Sequence, residues 1–161
     1  MKTILTIHCG ERLCALERTA VREIAPLPQL SRPPSLPAAV EGLLNLGGEV
    51  VVVIDLARLL DVQPDSDVDP LYRHLVVLTD DDASIALLVD RVENVRQIDD
   101  SAVMPVDPQT SVNDCISGQI ELDGETVSLL DADKLFLAAE RARLTDIRRA
   151  EQARLDALGA A

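Results

Sequence analysis

The sequence predicts a mainly β protein: two related small-barrel modules in tandem, followed by one C-terminal helix. Three observations predict it. Residues 42–60, GLLNLGGEVVVVIDLARLL, and residues 118–136, GQIELDGETVSLLDADKLF, align without a gap. They share Gly42/Gly118, Leu46/Leu122, Gly48/Gly124, Glu49/Glu125, Val51/Val127, Asp55/Asp131 and Leu59/Leu135. Short aliphatic and β-branched runs, each bounded by turn residues, recur along most of the chain, which is the pattern of small β-barrels. From Ala132 onward the composition shifts to Ala, Leu, Arg and Glu, with no proline and no glycine before Gly159, as a helix requires. Two copies of a unit are too few for a solenoid, which needs three or more.

Taken in order, KTILTIHCGERLCALE reads as two strands around a Gly10-Glu11 turn. The apolar run from Thr3 to Ile7 ends at Cys9 and imitates a lipoprotein signal. It is shorter than the ~7–15 residues of a signal core, and His8 precedes the cysteine where a small residue belongs, so it reads as a strand. RTAVREI is a short strand or a turn of helix. Pro26, Pro28, Pro33, Pro34 and Pro37 then deny the next stretch regular hydrogen bonding, leaving it extended and ordered only by what it lies against. The first copy of the repeat follows, with strands near 40–46 and 49–54 about Gly47-Gly48. After a break at PDSDVDP the order recurs. There is a hairpin turning on Asp80 to Asp82, then DRVENVRQI, a linker with Pro105 and Pro108, and the second copy. The two outer hairpins align Ala15 with Ala86, Leu16 with Leu87 and Val21 with Val92. The modules span roughly 1–65 and 70–137, and residues 138–161 form a helix and tail. The stripe Leu137, Leu144, Ile147, Leu155 and Leu158 is interrupted by Arg148 and Glu151. That predicts a helix packing its first turns on the barrel and fraying beyond, or else binding a partner or a second copy.

Chain totals narrow the function classes. With 161 residues, the chain is long enough to bury a self-standing core. Tyr72 and Phe136 are its only aromatic residues, so aliphatic side chains must fill that core. A net charge of −13 opposes affinity for nucleic acid or an anionic membrane face, and no segment is long and apolar enough to insert into a bilayer. Cys9, Cys14 and Cys115 leave an odd thiol under any pairing, which suits a reducing, cytoplasmic compartment. Neither Cys14 nor Cys115 has an evident base or activating cation nearby, so both default to core positions. His8 and His74 lack ligand-spaced neighbours and read as strand residues. Asp65, Asp67 and Asp69 mimic half a calcium loop, but Pro70 and Val76 stand where glycine and glutamate are needed. Nothing predicts an enzyme, a metal or another cofactor.

VREI (21–24), the proline-rich stretch, PAAVEGLLNLGGEVVVVIDL (37–56), LLVDRVENV (87–95) and ISGQIELDGETVSLLDADKLF (116–136) follow one another as in the CheW-like domain, which the chain resembles over roughly residues 3–137. The resemblance implies a CheW-like domain over 1–137, made of two intertwined five-stranded SH3-like β-barrels around a shared apolar core. It implies a non-catalytic adaptor coupling the cytoplasmic tip of a chemoreceptor to the regulatory domain of a CheA-type histidine kinase. One barrel would meet the kinase domain and the groove between barrels would meet receptor helices. Carried onto this chain, the partner-binding residues are Glu23, Val40, Asn45, Leu46, Gly47, Val89 and Val92. The alternative for the Val and Leu members is plain core packing. The family's usual Asn-Leu-Arg-Gly turn is Asn45-Leu46-Gly47-Gly48 here, its proline before the strand end is Val52, and its aromatic residue in the second strand is Cys14. These departures leave a second reading open, a CheW-like structural or self-associating protein outside the receptor–kinase array.

Overall fold

A computed structural model describes residues 1–34, 36–63, 69, 72–79, 84–106 and 115–159. Asp65, Asp67 and Pro70 of the calcium-like stretch, the Asp80-to-Asp82 turn and Pro108 lie outside them. Among the described residues, ten strands form two five-stranded sheets. The first runs β3 (Val21–Pro26), β6 (His74–Leu78), β7 (Ile85–Val89), β5 (Glu49–Asp55), β4 (Val40–Leu46). The second runs β8 (Arg91–Ile98), β1 (Lys2–Cys9), β2 (Arg12–Glu17), β10 (Glu125–Leu130), β9 (Ile116–Leu122). RTAVREI is both things at once, a 3-10 turn over Arg18–Ala20 that leads directly into β3.

The modules predicted over 1–65 and 70–137 do not fold as separate units. The β1–β2 hairpin joins the second sheet, through β8 on one side and a parallel pairing of Cys14 and Ala15 with Ser128 and Leu129 on the other. The β6–β7 hairpin joins the first sheet through β3 and a parallel pairing with Val52 to Asp55. Each half thus lends its outer hairpin to the other. The physical reason is that these hairpins are apolar on both faces. Ala15 and Ala86 face the private cores of their sheets, whereas Leu16 and Leu87 face the core shared between the two. Crossing over covers both faces.

Each repeated position now has a cause. Val51 and Val53 fill the core of the first sheet, and Val127 and Leu129 fill that of the second, with the same parity in both. Residues of opposite parity, Val52, Ile54 and Leu130, enter the shared core with Ile7, Leu16 and Leu87. Both hairpins turn on two residues with positive φ: Gly47 at 62° and Gly48 at 93°, Asp123 at 51° and Gly124 at 82°. That is the tight turn whose twist matches paired strands. The glycines at 42 and 118 serve a different purpose. The proline-rich stretch crosses β4 through a Ser31–Leu43 bridge, and residues 103–104 cross β9 through a Met104–Gln119 bridge. A Cβ at Gly42 would lie 2.8 Å from Leu30 Cβ, and one at Gly118 would lie 2.4 Å from Val103 Cγ1. Finally, Asp55 caps helix α1 (Leu56–Leu60) by accepting from the N–H groups of Ala57 and Arg58, while Asp131 caps a single 3-10 turn through Asp133 N–H.

Helix α2 covers Ala138–Gly159, six residues later than the composition shift suggested. The delay arises because Leu135 and Phe136 turn inward to the shared core before the helix can begin. Fraying after the first turns is not observed either, since α2 lies along β5 through its middle turns. Leu144 is buried, and Ile147 and Leu155 pack on the shared core. Arg148, one of the two residues that interrupt the apolar stripe, and Gln152 form the polar contact with the barrel (below).

Candidate partner-binding surfaces

The residues carried over from family motifs fall into three physical situations. Val40 and Val89 are 7% and 2% exposed and belong to the shared core. In this folded state they present no surface to a partner, because alternation along β4 and β7 points them inward, so plain core packing accounts for them. Leu46 is half-buried against the core of the first sheet, and Val92 against the shared core. Glu23, Asn45 and Gly47 are exposed.

Glu23 stands on β3, an edge strand of the first sheet, just past a bulge between Val21 and Glu23 in the pairing with β6. The bulge lets Arg22, Glu23 and Ile24 all reach solvent, which strict alternation would forbid. Arg22 donates to Glu49 at 3.2 Å, so the neighbouring charge is held in place, while Glu23 makes no ion pair among the described residues. Asn45 sits across the barrel, its side-chain oxygen accepting Gly48 N–H at 2.8 Å and closing the turn. Its family position is therefore also a structural one. Gly47 meets nothing within 4 Å of a notional Cβ, so its constraint is the positive φ alone. Val92, on β8 at the edge of the second sheet, donates its N–H to His74 Nδ1 on β6 at 3.1 Å. That bond stitches the two sheets together. His8, the other histidine, lies 3.1 Å from Glu93 across the β1–β8 pairing.

Sequence reasoning missed two sets of residues. The first is a polar clasp between the barrels. Asp90 accepts Gly10 N–H at 2.7 Å and lies 3.6 Å from Arg73, which in turn lies 3.8 Å from the helix-capping Asp55. Both aspartates are buried, where an ion pair without further hydrogen bonds would be costly. Backbone donors satisfy both. A signal was available: each is a lone Asp closing an unbroken apolar strand, VVVVID and IALLVD. The backbone beside the clasp also fixes Gly10 as glycine, since a Cβ there would run into the Gln63 carbonyl oxygen.

The second set anchors α2. Gln152 accepts Val50 N–H at 2.8 Å and donates to Gly48 carbonyl oxygen at 2.9 Å, and Arg148 Nε donates to Val50 carbonyl oxygen at 3.2 Å. Arg148 also lies 3.8 Å from Glu49. The Glu49 carboxyl is held below the usual carboxylate range, first by the Ser84 hydroxyl at 2.6 Å and then by Arg22 and Arg148. Helix side chains thus occupy backbone groups of β5 that lie beyond the reach of β7. No periodicity rule finds polar residues whose partner is a distant strand edge.

The three thiols sit in the shared core. Burial pushes Cys14 up to about 12 and Cys9 higher still, so neither forms a thiolate at neutral pH. No helix among the described residues is long and apolar enough to cross a membrane.

Residues 3–140 match the family model of the CheW-like domain. The chain is 27% identical over 143 residues to the probable chemotaxis protein CheW of Rhizobium etli, covering 86% of this chain and 90% of that protein. It is 25% identical over 148 residues to the chemotaxis protein CheW of Treponema pallidum, covering 89% and 87%. The crystal structure of the scaffolding protein TtCheW from Thermoanaerobacter tengcongensis superposes with a TM-score of 0.76 at 23% identity, over 85% of this chain and 88% of that one. That likeness is one of fold, and it extends across both sheets. With a family match that spans both copies of the repeat, the exchanged hairpins and the straps, the chain belongs to the CheW-like domain family.

Proposed function

We propose that this chain is a non-catalytic coupling adaptor of chemotaxis or pilus-motility signalling, holding the regulatory domain of a CheA-type kinase and the cytoplasmic tip of a chemoreceptor. The observation that carries this reading is the family match over residues 3–140, which takes in both barrels and the sheet-edge strands β3 and β8. Two supporting features are architectural. The clasp of Gly10, Asp90, Arg73 and Asp55 holds the barrels as one body, so partners on different faces keep a fixed relation. The exposed edge β3, with Glu23 and the part-exposed Ile24, offers a mixed polar and apolar face.

The test is reconstitution: a CheA-type kinase and receptor-bearing vesicles, with and without the chain. The adaptor reading expects receptor-dependent kinase activity only when the chain is present. Glu23→Lys should weaken that coupling while the melting temperature stays nearly unchanged, because an exposed edge charge carries little stability. An early-melting variant would instead make Glu23 structural.

The glycine at 47 favours a second reading, a CheW-like structural or self-associating protein outside the array. An arginine at the family position offers a charged five-donor fork that glycine cannot replace. That reading expects no kinase or receptor binding, and concentration-dependent assembly of the chain alone.

A further inference from the structure

The two repeat copies have equivalent outer faces, and among the described residues a helix covers only one of them. On the first sheet α2 lies beside Leu43 and Val50, fixed by the Arg148 and Gln152 bonds to Gly48 and Val50. The equivalent positions on the second sheet are Gln119, Gly124 and Thr126, by the alignment that pairs Gly42 with Gly118. Gln119, Thr126 and Ser128 line an open cleft of about 880 Å³, together with Glu11, Arg12 and Gln63. None of the residues carried over from the family lines it.

The backbone chemistry of the two seats matches. In each hairpin the residue second from the turn, Val50 or Thr126, is paired across its own hairpin with Asn45 or Glu121. Next to a two-residue turn that pair does not exchange backbone bonds, so its N–H and C=O point outward. In the first sheet those groups meet Gln152 and Arg148. In the second, β2 pairs with β10 at Ser128 and Leu129, and that ladder stops short of Thr126. Charge matches as well: Glu49, beside Arg148 in the first seat, corresponds to the exposed Glu125 in the second.

We propose that this cleft is a helix-docking seat, taking an amphipathic helix of a partner protein that carries an arginine and a glutamine one turn apart, as α2 does. The chain itself shows what such a seat holds. The glutamine would bridge the outward backbone groups around Thr126, the arginine would face Glu125, and apolar residues one turn away would lie in the cleft.

The probe is a labelled peptide of residues 138–159, titrated into the full chain and followed by fluorescence anisotropy. The first seat is filled in cis by α2, at the high effective concentration of a tethered segment, so the peptide reports the second. Saturable one-to-one binding is expected, weakened at least about tenfold by Gln119→Trp, which fills the cleft, and by the exposed change Glu125→Lys. The same peptide with both Arg148→Ala and Gln152→Ala should lose binding. Three outcomes overturn the proposal. One is no binding below about 1 mM. Another is binding untouched by either cleft variant but lost with Asn45→Trp, which would mean exchange with α2. The third is self-association of the chain with no peptide uptake. If Gln119→Trp fails to fold, Glu125→Lys alone decides.

Discussion

Residues 42–60 and 118–136 share turn geometry, core parity, a glycine under a crossing strap and an aspartate cap. They differ in what lies outside them. The first hairpin carries a Glu49 carboxylate tied to Ser84, Arg22 and Arg148, and a helix laid across its strand edge. The second ends in a solvent-facing Asp123–Arg96 pair at 2.7 Å and an open cleft. The comparison teaches that the repeat preserves the frame and leaves the outer face free to diverge. A molecule with two frames and two unlike outer faces is what an adaptor for unlike partners needs.

The largest effects should fall on the shared frame, and equally on both copies. Val51→Asp and Val127→Asp place an unpaired charge in fully buried sites, and each should cost several kcal/mol in chemical denaturation, on the order of 4. A copy that tolerates the change would not be built like the other. Next come the strap glycines. Gly42→Ala and Gly118→Ala force a methyl against Leu30 and Ser31, or against Val103 and Met104, and each should lose about 1–3 kcal/mol by overpacking. An alanine without cost at either site would remove the strap as the reason for the repeated glycine.

Much of this frame was legible in the sequence. Ungapped self-alignment located both hairpins and their turns, because side-chain alternation and positive-φ turns are local properties. Exchange of the β1–β2 and β6–β7 hairpins was not legible from the residues. Pairings such as Leu129 with Ala15 join positions more than a hundred residues apart, and tandem order along the chain suggests the opposite partition. Only the family resemblance supplied the intertwining. Of the site residues, Glu23, Asn45 and Gly47 are exposed, as a strand-edge charge and turn chemistry lead one to expect. Val40 and Val89 could not be told from core by sequence, because an inward valine and an interface valine look alike. Arg148 was read as a break in an apolar stripe and Gln152 was not singled out, when their polarity is what seats the helix.

Smaller effects separate the copies. Gln152→Ala removes two backbone contacts at the rim of the first hairpin and should cost about 1 kcal/mol. Amide exchange should quicken at Val50 and stay unchanged at Thr126. Equal changes at both amides would mean that α2 steadies the whole molecule, contrary to the local contact described. The smallest expected effect belongs to the turns. Asp123 occupies the same left-handed position as Gly47, so the backbone accepts a side chain there at modest strain. Gly47→Arg should lose about 1 kcal/mol of stability, visible as a slight fall in melting temperature. Tighter binding to a kinase regulatory domain at unchanged stability would show that the glycine weakens an ordinary family contact.

The claim that two similar frames present unlike faces is tested most directly by mapping both partners on one molecule. Amide exchange would be measured on the full chain alone, with a CheA-type regulatory domain, with a receptor-tip fragment, and with both together. The account predicts that both bind at once and that each protects a different set of strand amides, with the receptor fragment protecting the β3 and β8 edges. Mutually exclusive binding, protection of one common patch, or no protection by either partner would contradict it.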